Sequence, residues 1–368
     1  MQRLIKAGIP FSLLLMLFSC AEHPSAVHVD EHFNELFHLD SGGVTGTDGT
    51  ISIALSDGRS VFAMGDFFLG EVINGRRDST PDIVMGNVLI TVGRDQETLH
   101  NYYRGTPEAP ESFLTPIGDN PSVKWIWPGH GFEHEGIVHL FMLNYAFDTW
   151  AFCGTDYFRL KMPDFETISQ ERFKPSLVKG IRWGHAVVND PGYVYVYGGD
   201  FIDSLPQQNA GVHVCRSRIS ASNRLHGYEY FNGEDWSSNP DDSQRMEGIN
   251  VSISEQFSIF RLGETYVLLS HERGYKSRRI YSYISDHPQG PWRNEKMLYE
   301  TEEYLLGADR FTYNAMAHPQ FMENEELLIS YNSTSSNVRD IYTDATIYRP
   351  MFLRVPVQMI LKENLSSP

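Results

Sequence analysis

Ile51-Ser52-Ile53-Ala54-Leu55, Ser56-Asp57-Gly58-Arg59 and Val61-Phe62-Ala63-Met64-Gly65-Asp66 follow one another without interruption. Apolar residues alternate, a tight polar turn containing glycine intervenes, and a second, more apolar run returns. That is the pattern of a β-hairpin. The unit recurs about five times. Its second strands are Val61 to Phe68, Val138 to Tyr145, Tyr193 to Gly198, Thr265 to Ser270 and Leu327 to Asn332. Third strands follow at Val84 to Val92, Asp156 to Lys161, Val212 to Arg218, Ile280 to Ser285 and Met351 to Val355. Repeated antiparallel units of three or four short strands predict an all-β fold, a five-bladed β-propeller. The competing arrangement is a β-sandwich or jelly roll. At 368 residues it would need two domains, and no Pro/Ser/Gly-rich linker follows residue 30 to separate them. Beyond residue 20, apolar recurrence at helical spacing is nowhere sustained.

The N-terminus reads as an export signal. Arg3 and Lys6 precede an apolar run from Ala7 to Phe18, too short to span a bilayer. Leu17-Phe18-Ser19-Cys20 resembles a bacterial lipobox, so Cys20 is the expected lipidation site once residues 1–19 are removed. Residues 20–30 read as a flexible tether, and 31–368 as the propeller. The expected location is the bacterial cell envelope, at the outer membrane, with membrane contact only through the lipid. Cys153 and Cys215 remain, on different predicted strands; the compartment permits a disulfide, and two separate buried thiols fit equally.

The formal charge is −17, and loss of Arg3 and Lys6 with the leader takes it to −19. So acidic a chain argues against nucleic acid and anionic membrane surfaces as partners. It suits a neutral or cationic small molecule or a carbohydrate. The 22 Phe, 19 Tyr and 6 Trp fit strands first, and sugar stacking second.

In a propeller the innermost strands line a central funnel, so residues distant in sequence converge there. The expected first strands bring Thr47-Asp48-Gly49, Trp127-Pro128-Gly129-His130-Gly131, Arg182-Trp183-Gly184-His185, Ser254-Glu255-Gln256-Phe257, and Tyr313-Asn314 with His318-Pro319. Charged residues are rarely buried without a purpose or a partner. Paired carboxylates acting on a neutral polar substrate point to glycoside hydrolysis, in which one protonates the leaving oxygen and the other attacks or activates water. Asp48 and Glu255 are the expected catalytic pair, with Asp66 as the third candidate. Trp127, His130, Trp183, His185, Tyr313, His318 and Asn332 are the expected substrate-binding residues. Each of these also has an ordinary structural reading, Asp48 as a turn aspartate and His318 as an inner-strand histidine; the set carries more weight than any member. No cofactor is expected. His130, Glu133 and His134 are close in sequence, but on a strand and turn they point in different directions and do not make a metal site. No G-x-S-x-G elbow, phosphate-cradling glycine loop or H-E-x-x-H occurs.

Several stretches resemble a known family. Thr45-Gly46-Thr47-Asp48-Gly49, Leu55 to Arg59 and Phe62-Ala63-Met64-Gly65-Asp66-Phe67-Phe68 resemble the opening of domain of unknown function 4185. Trp183-Gly184-His185 with Tyr193 to Gly198 resembles its third blade, and Glu255-Gln256-Phe257-Ser258 its fourth, as does Tyr283-Ile284-Ser285 with Pro288 to Trp292. Ala317-His318-Pro319 with Leu328 to Asn332 resembles its last. That family is similar to glycoside hydrolase families 43 and 117 in having five blades, and some members are arabinan-cleaving enzymes of family 183. The resemblance implies a furanose- or pyranose-cleaving hydrolase with acidic residues at the funnel floor. It matches Asp48 to the blade-one aspartate and Glu255 to an acidic position of blade four. Met64-Gly65-Asp66-Phe67-Phe68 departs from the family, which more often has an aromatic residue before the glycine and a threonine after the aspartate.

Two other functions remain open at this stage. A surface glycan-binding propeller would need aromatics and amides but no carboxylate pair. A glycoside phosphorylase would need two or more basic residues in the funnel, where Arg182 stands alone among the expected inner-strand residues.

Overall fold

The structure, a computed structural model, describes residues 26–77, 82–118, 123–177, 179–201, 210–274, 276–302, 307 and 309–363. The leader, Cys20 and most of the expected tether lie outside them. Five antiparallel sheets follow one another along the chain. Blade 1 consists of Ile51–Ala54, Ser60–Met64, Val88–Val92 and Leu99–Tyr102. Blade 2 runs from Val123–His134 to Glu166–Phe173, blade 3 from Arg182–Asp190 to Trp236–Ser237, and blade 4 from Ile253–Leu262 to Arg293–Glu300. Blade 5 has Arg310–Glu323 innermost, then Glu326–Ser335 and Pro350–Pro356.

The ring is closed by the chain's two ends. His28–Val29 adds the outermost strand of blade 5, with His28 paired to Arg354 and Val29 to Leu353. The last residues of the stretch read as a tether are therefore part of the fold. Asp30 follows directly and does two things. Its Oδ1 accepts from Phe33 N at 2.8 Å, capping the helix Glu31–Phe37, and its Oδ2 accepts from Arg354 Nε at 2.5 Å.

Strands alternate, so each sheet has two faces to bury. Five large apolar clusters occupy the five gaps between neighbouring blades. Ile53 and Val61 meet Ile126 and Leu140 between blades 1 and 2. Phe132 and Phe141 meet Trp183 and Val196 between blades 2 and 3. Phe62 and Met64 meet Phe321 and Phe352 between blades 5 and 1, under Phe33 and Phe37 of the helix. A sandwich would concentrate its core between two facing sheets; here each blade packs on two neighbours, and the inner strands meet in the cyclic order 1-2-3-4-5-1.

Where the inner strands carry function, they are irregular. Register shifts interrupt pairing between Pro128 and Gly131, Trp183 and Ala186, Ile253 and Phe257, and Tyr313 and Met316. A bulge bends its strand and re-aims the side chains in it. The bulged stretches of blades 2 to 5 thus turn residues toward the axis that a regular strand would bury between blades.

Candidate active site at one mouth of the funnel

Blade 1 reaches the axis differently. Val44–Thr47 pairs with Phe67–Leu69 in a short antiparallel ladder beside the blade, with Thr47 opposite Phe67. One step further along that register lie Asp48 and Asp66. Gly65 N donates to Asp48 O at 2.7 Å, holding the two segments together there. Position 65 must be glycine, because a Cβ would lie 2.3 Å from Asp48 Oδ1. Residues opposite one another in an antiparallel ladder have Cβ atoms about 4.5–5.5 Å apart, and like charges so placed are destabilising.

The two carboxyls respond accordingly. Asp48 is deep in the cavity, and burial pushes its pKa up to about 6, opposed by the hydrogen bond it accepts from Tyr313. Tyr313 Oη donates to Asp48 Oδ2 at 2.8 Å. Asp66 is 7% exposed. Burial first, and then the charge of Asp48, push it up to about 7. Asp66 Oδ1 accepts from Trp127 Nε1 at 2.7 Å and from Gly86 N at 2.6 Å. With two N–H donors on Oδ1, a proton on Asp66 belongs on Oδ2. Both carboxyls thus hold a proton more readily than an ordinary aspartate, Asp66 the more strongly because the charge of Asp48 adds to its burial.

Both line a cavity of about 500 Å³ at one mouth of the funnel, a volume suited to a small ligand. Trp127, His185, Glu255 and Tyr313 line it too. Glu255 is on the blade 4 wall, its side chain 40% exposed. Its Oε1 accepts from Arg182 Nη1 at 2.8 Å and from Arg273 Nη1 at 3.3 Å. Gln256 comes within 3.2 Å of where a Cβ on Gly49 would be, so the segments carrying Asp48 and Glu255 meet across the axis. Asp66 feels the charge of Asp48, and Glu255 is an ion-paired group on the blade 4 wall.

His185 is 2% exposed, and neither ring nitrogen has a hydrogen-bond partner among the described residues. Burial, then Arg182 and Arg273, push its pKa down to about 3, so it is a neutral imidazole, and both of its ring nitrogens are buried. The preceding Gly184, at φ +98°, makes this orientation possible: Trp183 goes into the core and His185 to the cavity.

Four expected binding residues take other places. Trp183 is 1% exposed and packs in the core between blades 2 and 3. His318 is wholly buried; its Nδ1 meets Ser52 Oγ at 2.7 Å and its Nε2 meets Ser330 Oγ at 2.9 Å, pinning blade 5 to blade 1. Asn332 is likewise fully buried, with Nδ2 donating to Asn314 O at 3.5 Å. His130 sits deeper in the funnel, between Ser52 O at 3.3 Å and Val187 N at 2.9 Å, and borders a separate cavity toward the opposite mouth. Trp183, His318 and His130 tie blades together, and Asn332 bonds within blade 5. Cys153 and Cys215 are free thiols, Cys215 buried.

Sequence reasoning missed Arg273, Lys276, His271 and Glu272, which also line the cavity. They lie at and beyond the far end of the second strand of blade 4, Thr265–Glu272, outside the inner strands. Arg182 therefore has basic company.

The family described as "Domain of unknown function (DUF5005)" matches residues 30–359. The chain belongs to that family. The match names domain 5005 where the motifs resembled domain 4185; the coarser expectation, a five-bladed propeller like those of family 43 glycoside hydrolases, holds. Among solved structures, a candidate hydrolase from Bacteroides ovatus ATCC 8483 is 18% identical, with 93% of each chain covered and a TM-score of 0.75. The GH43_1 enzyme from Xanthomonas citri, complexed with xylotriose, is 13% identical with a TM-score of 0.51; 84% of this chain and 87% of that one are covered. The Bacteroides ovatus GH43B of a xyloglucan locus has a TM-score of 0.50 at 12% identity, covering 89% of this chain and 54% of that one. At such identities the likeness is one of fold. Among curated proteins none matches the sequence.

Proposed function

We propose that this member of the DUF5005 family is a glycoside hydrolase that cleaves an oligosaccharide or polysaccharide in the Asp48–Asp66 cavity. The observation that carries the reading is the cross-strand placement of these two carboxyls, both raised toward neutral pH, beneath an indole that binds one of them. Asp66 donates its proton from Oδ2 to the leaving glycosidic oxygen, and Asp48 acts as the nucleophile or base, oriented by Tyr313. Trp127 offers a ring face to the sugar while its N–H holds Asp66. The resemblance to arabinan-cleaving propellers makes arabinan-type chains the first substrates to try.

The test is a screen of residues 20–368 against plant, algal and mycobacterial glycans, with Asp66→Asn as control. Release of reducing ends by the parent and not by the variant supports the reading. A glycan that binds without being cleaved would turn it into a non-catalytic surface glycan binder. One observation favours a second reaction: Arg273 and Lys276 line the same cavity, and two basic groups there could hold phosphate. Cleavage that requires phosphate and yields a sugar 1-phosphate would make the protein a phosphorylase.

The proposal includes location. Lipid on Cys20 holds the protein to the bacterial envelope, and Cys20→Ala should leave it in the soluble fraction. A variant that stays with membranes after a carbonate wash contradicts this.

A further inference from the structure

Phe147 and Trp150 are 52% and 53% exposed, and no other phenylalanine, tyrosine or tryptophan among the described residues is exposed. Both belong to the turn between Ile137–Ala146 and Phe152–Lys161 of blade 2. Single exposed apolar residues are normal on a protein surface, but two large aromatics on one turn above a cavity are a patch. Trp150 also has φ +58°, a conformation that is an outlier for a bulky side chain and that persists only where the surroundings hold it. Here Trp150 N donates to Ala146 O at 3.0 Å and Ala146 N to Ala151 O at 2.9 Å, so the turn is closed on itself.

The rings are continuous with the cavity. Trp150 lies 4.1 Å from Trp125 and 5.7 Å from Trp127, centroid to centroid. Trp125 and Trp127 stack at 5.8 Å with 19° between their planes, and Phe147 meets Trp125 edge-on at 5.2 Å. Trp127 is the hinge of the arrangement, because its N–H binds Asp66 and its ring lines the cavity. An unbroken path of rings thus leads from the carboxyl pair out to solvent.

We propose that Phe147 and Trp150, backed by the buried Trp125, form a stacking shelf for the sugar unit next to the one held in the cavity, so that the ligand is a chain of at least two linked sugars. The inference rests on the carbohydrate reading above. Sugars have an apolar C–H face that covers an aromatic ring while their hydroxyls stay in water, which is the half-exposed environment Phe147 and Trp150 provide. A shelf of ring faces contributes affinity along the chain and leaves the choice of linkage to the cavity.

The experiment measures binding of arabino-, xylo- and gluco-oligosaccharides of increasing length to the mature protein by calorimetry, with Asp66→Asn as background to prevent turnover. The expected result is that affinity rises from disaccharide to longer chains. Phe147→Ala and Trp150→Ala should each remove roughly tenfold of that increment, about 1.4 kcal/mol, and Trp150→Phe should restore most of it. Both side chains are half-exposed, so an unchanged melting temperature accompanies each substitution. If a chain binds and the variants keep the same length dependence, the shelf is refuted. If Trp150→Ala instead abolishes a concentration-dependent dimer, the patch serves a second copy of the chain and the shelf is equally refuted. If no carbohydrate binds the parent protein at all, the carbohydrate reading fails, a result distinct from either of these.

Discussion

Tyr313 Oη donates to Asp48 Oδ2 at 2.8 Å across 265 residues of sequence. The bond joins blade 5 to the approach of blade 1, and it favours the carboxylate form of Asp48. Tyr313→Phe removes it while keeping the ring. Hydrogen bonds to charged groups contribute about 1.5–3 kcal/mol, and about 1.4 kcal/mol corresponds to one pKa unit. The acidic limb of the activity profile, set by ionisation of Asp48, should therefore move upward by about one unit or more. A pH–rate profile of kcat/KM checks this; a limb that stays in place removes Asp48 from the role of base.

Asp66→Asn and Asp48→Asn keep shape and lose proton chemistry. Each should lower kcat by roughly 10²–10⁴-fold with an unchanged circular dichroism spectrum. The separation of the two carboxyls goes with the stereochemistry, about 5–5.5 Å for retention and about 6.5–9.5 Å for inversion, and Asp48 acting as nucleophile predicts that the anomeric configuration of the product is retained. Product stereochemistry followed by NMR decides this. Inversion would give the second role to Glu255, on the far wall.

Much of this fold is legible in sequence, and the reason is periodicity. The second and third strands of every blade were expected close to where they are, because alternating apolar residues bounded by glycine turns need only local information. The first strands are harder to read, since bulges at Pro128–Gly131, Trp183–Ala186, Ile253–Phe257 and Tyr313–Met316 shift the alternation. Trp183 and His185 show the consequence. Two residues apart, they should share a face, yet the bulge at Gly184 sends one to the core and the other to the cavity. Asp48 stood out by its glycine-flanked motif. Its partnership with Asp66 depends on the Thr47–Phe67 register, which the hairpin between them does not specify.

Asp30 and Arg354 are an ion pair that is 7% and 8% exposed, at the closure of the ring. Removing one member of a buried pair costs about 3–5 kcal/mol, because the other charge is left without compensation. Asp30→Ala also loses the helix cap, worth about 1 kcal/mol. It should lower the urea midpoint strongly, and Asp30→Asn, which keeps a capping side chain, should do less harm. Equal effects would mean that the cap contributes nothing, and small effects of both that the charge at Arg354 is compensated from elsewhere.

The carboxyl pair should also be visible in stability. Both groups have pKa values raised in the fold, from 3.8 to about 6 and about 7. A raised carboxyl favours its protonated form in the native state, so its contribution is fully present below pH about 4 and is lost as pH rises through the folded values. Relative to Asp66→Asn, the parent should therefore lose stability between pH 4 and 7. Urea titrations of both proteins across that range check the sign; a parent that gains on the variant contradicts it.

That Asp48 and Asp66 share a proton near neutral pH is the central prediction of the account, and it can be measured without knowing the substrate. Carbon-13 NMR of the mature protein labelled at aspartate carboxyls, recorded against pH for the parent, Asp48→Asn and Asp66→Asn, reports the titration directly. The prediction is two coupled carboxyl signals titrating near pH 6 and 7 in the parent. In Asp48→Asn, the Asp66 signal should titrate lower than in the parent, because the neighbouring charge that raises it is gone. Two carboxyls that both titrate below about 4.5, near the ordinary aspartate range, would mean that no proton is shared and that Asp66 cannot be the acid.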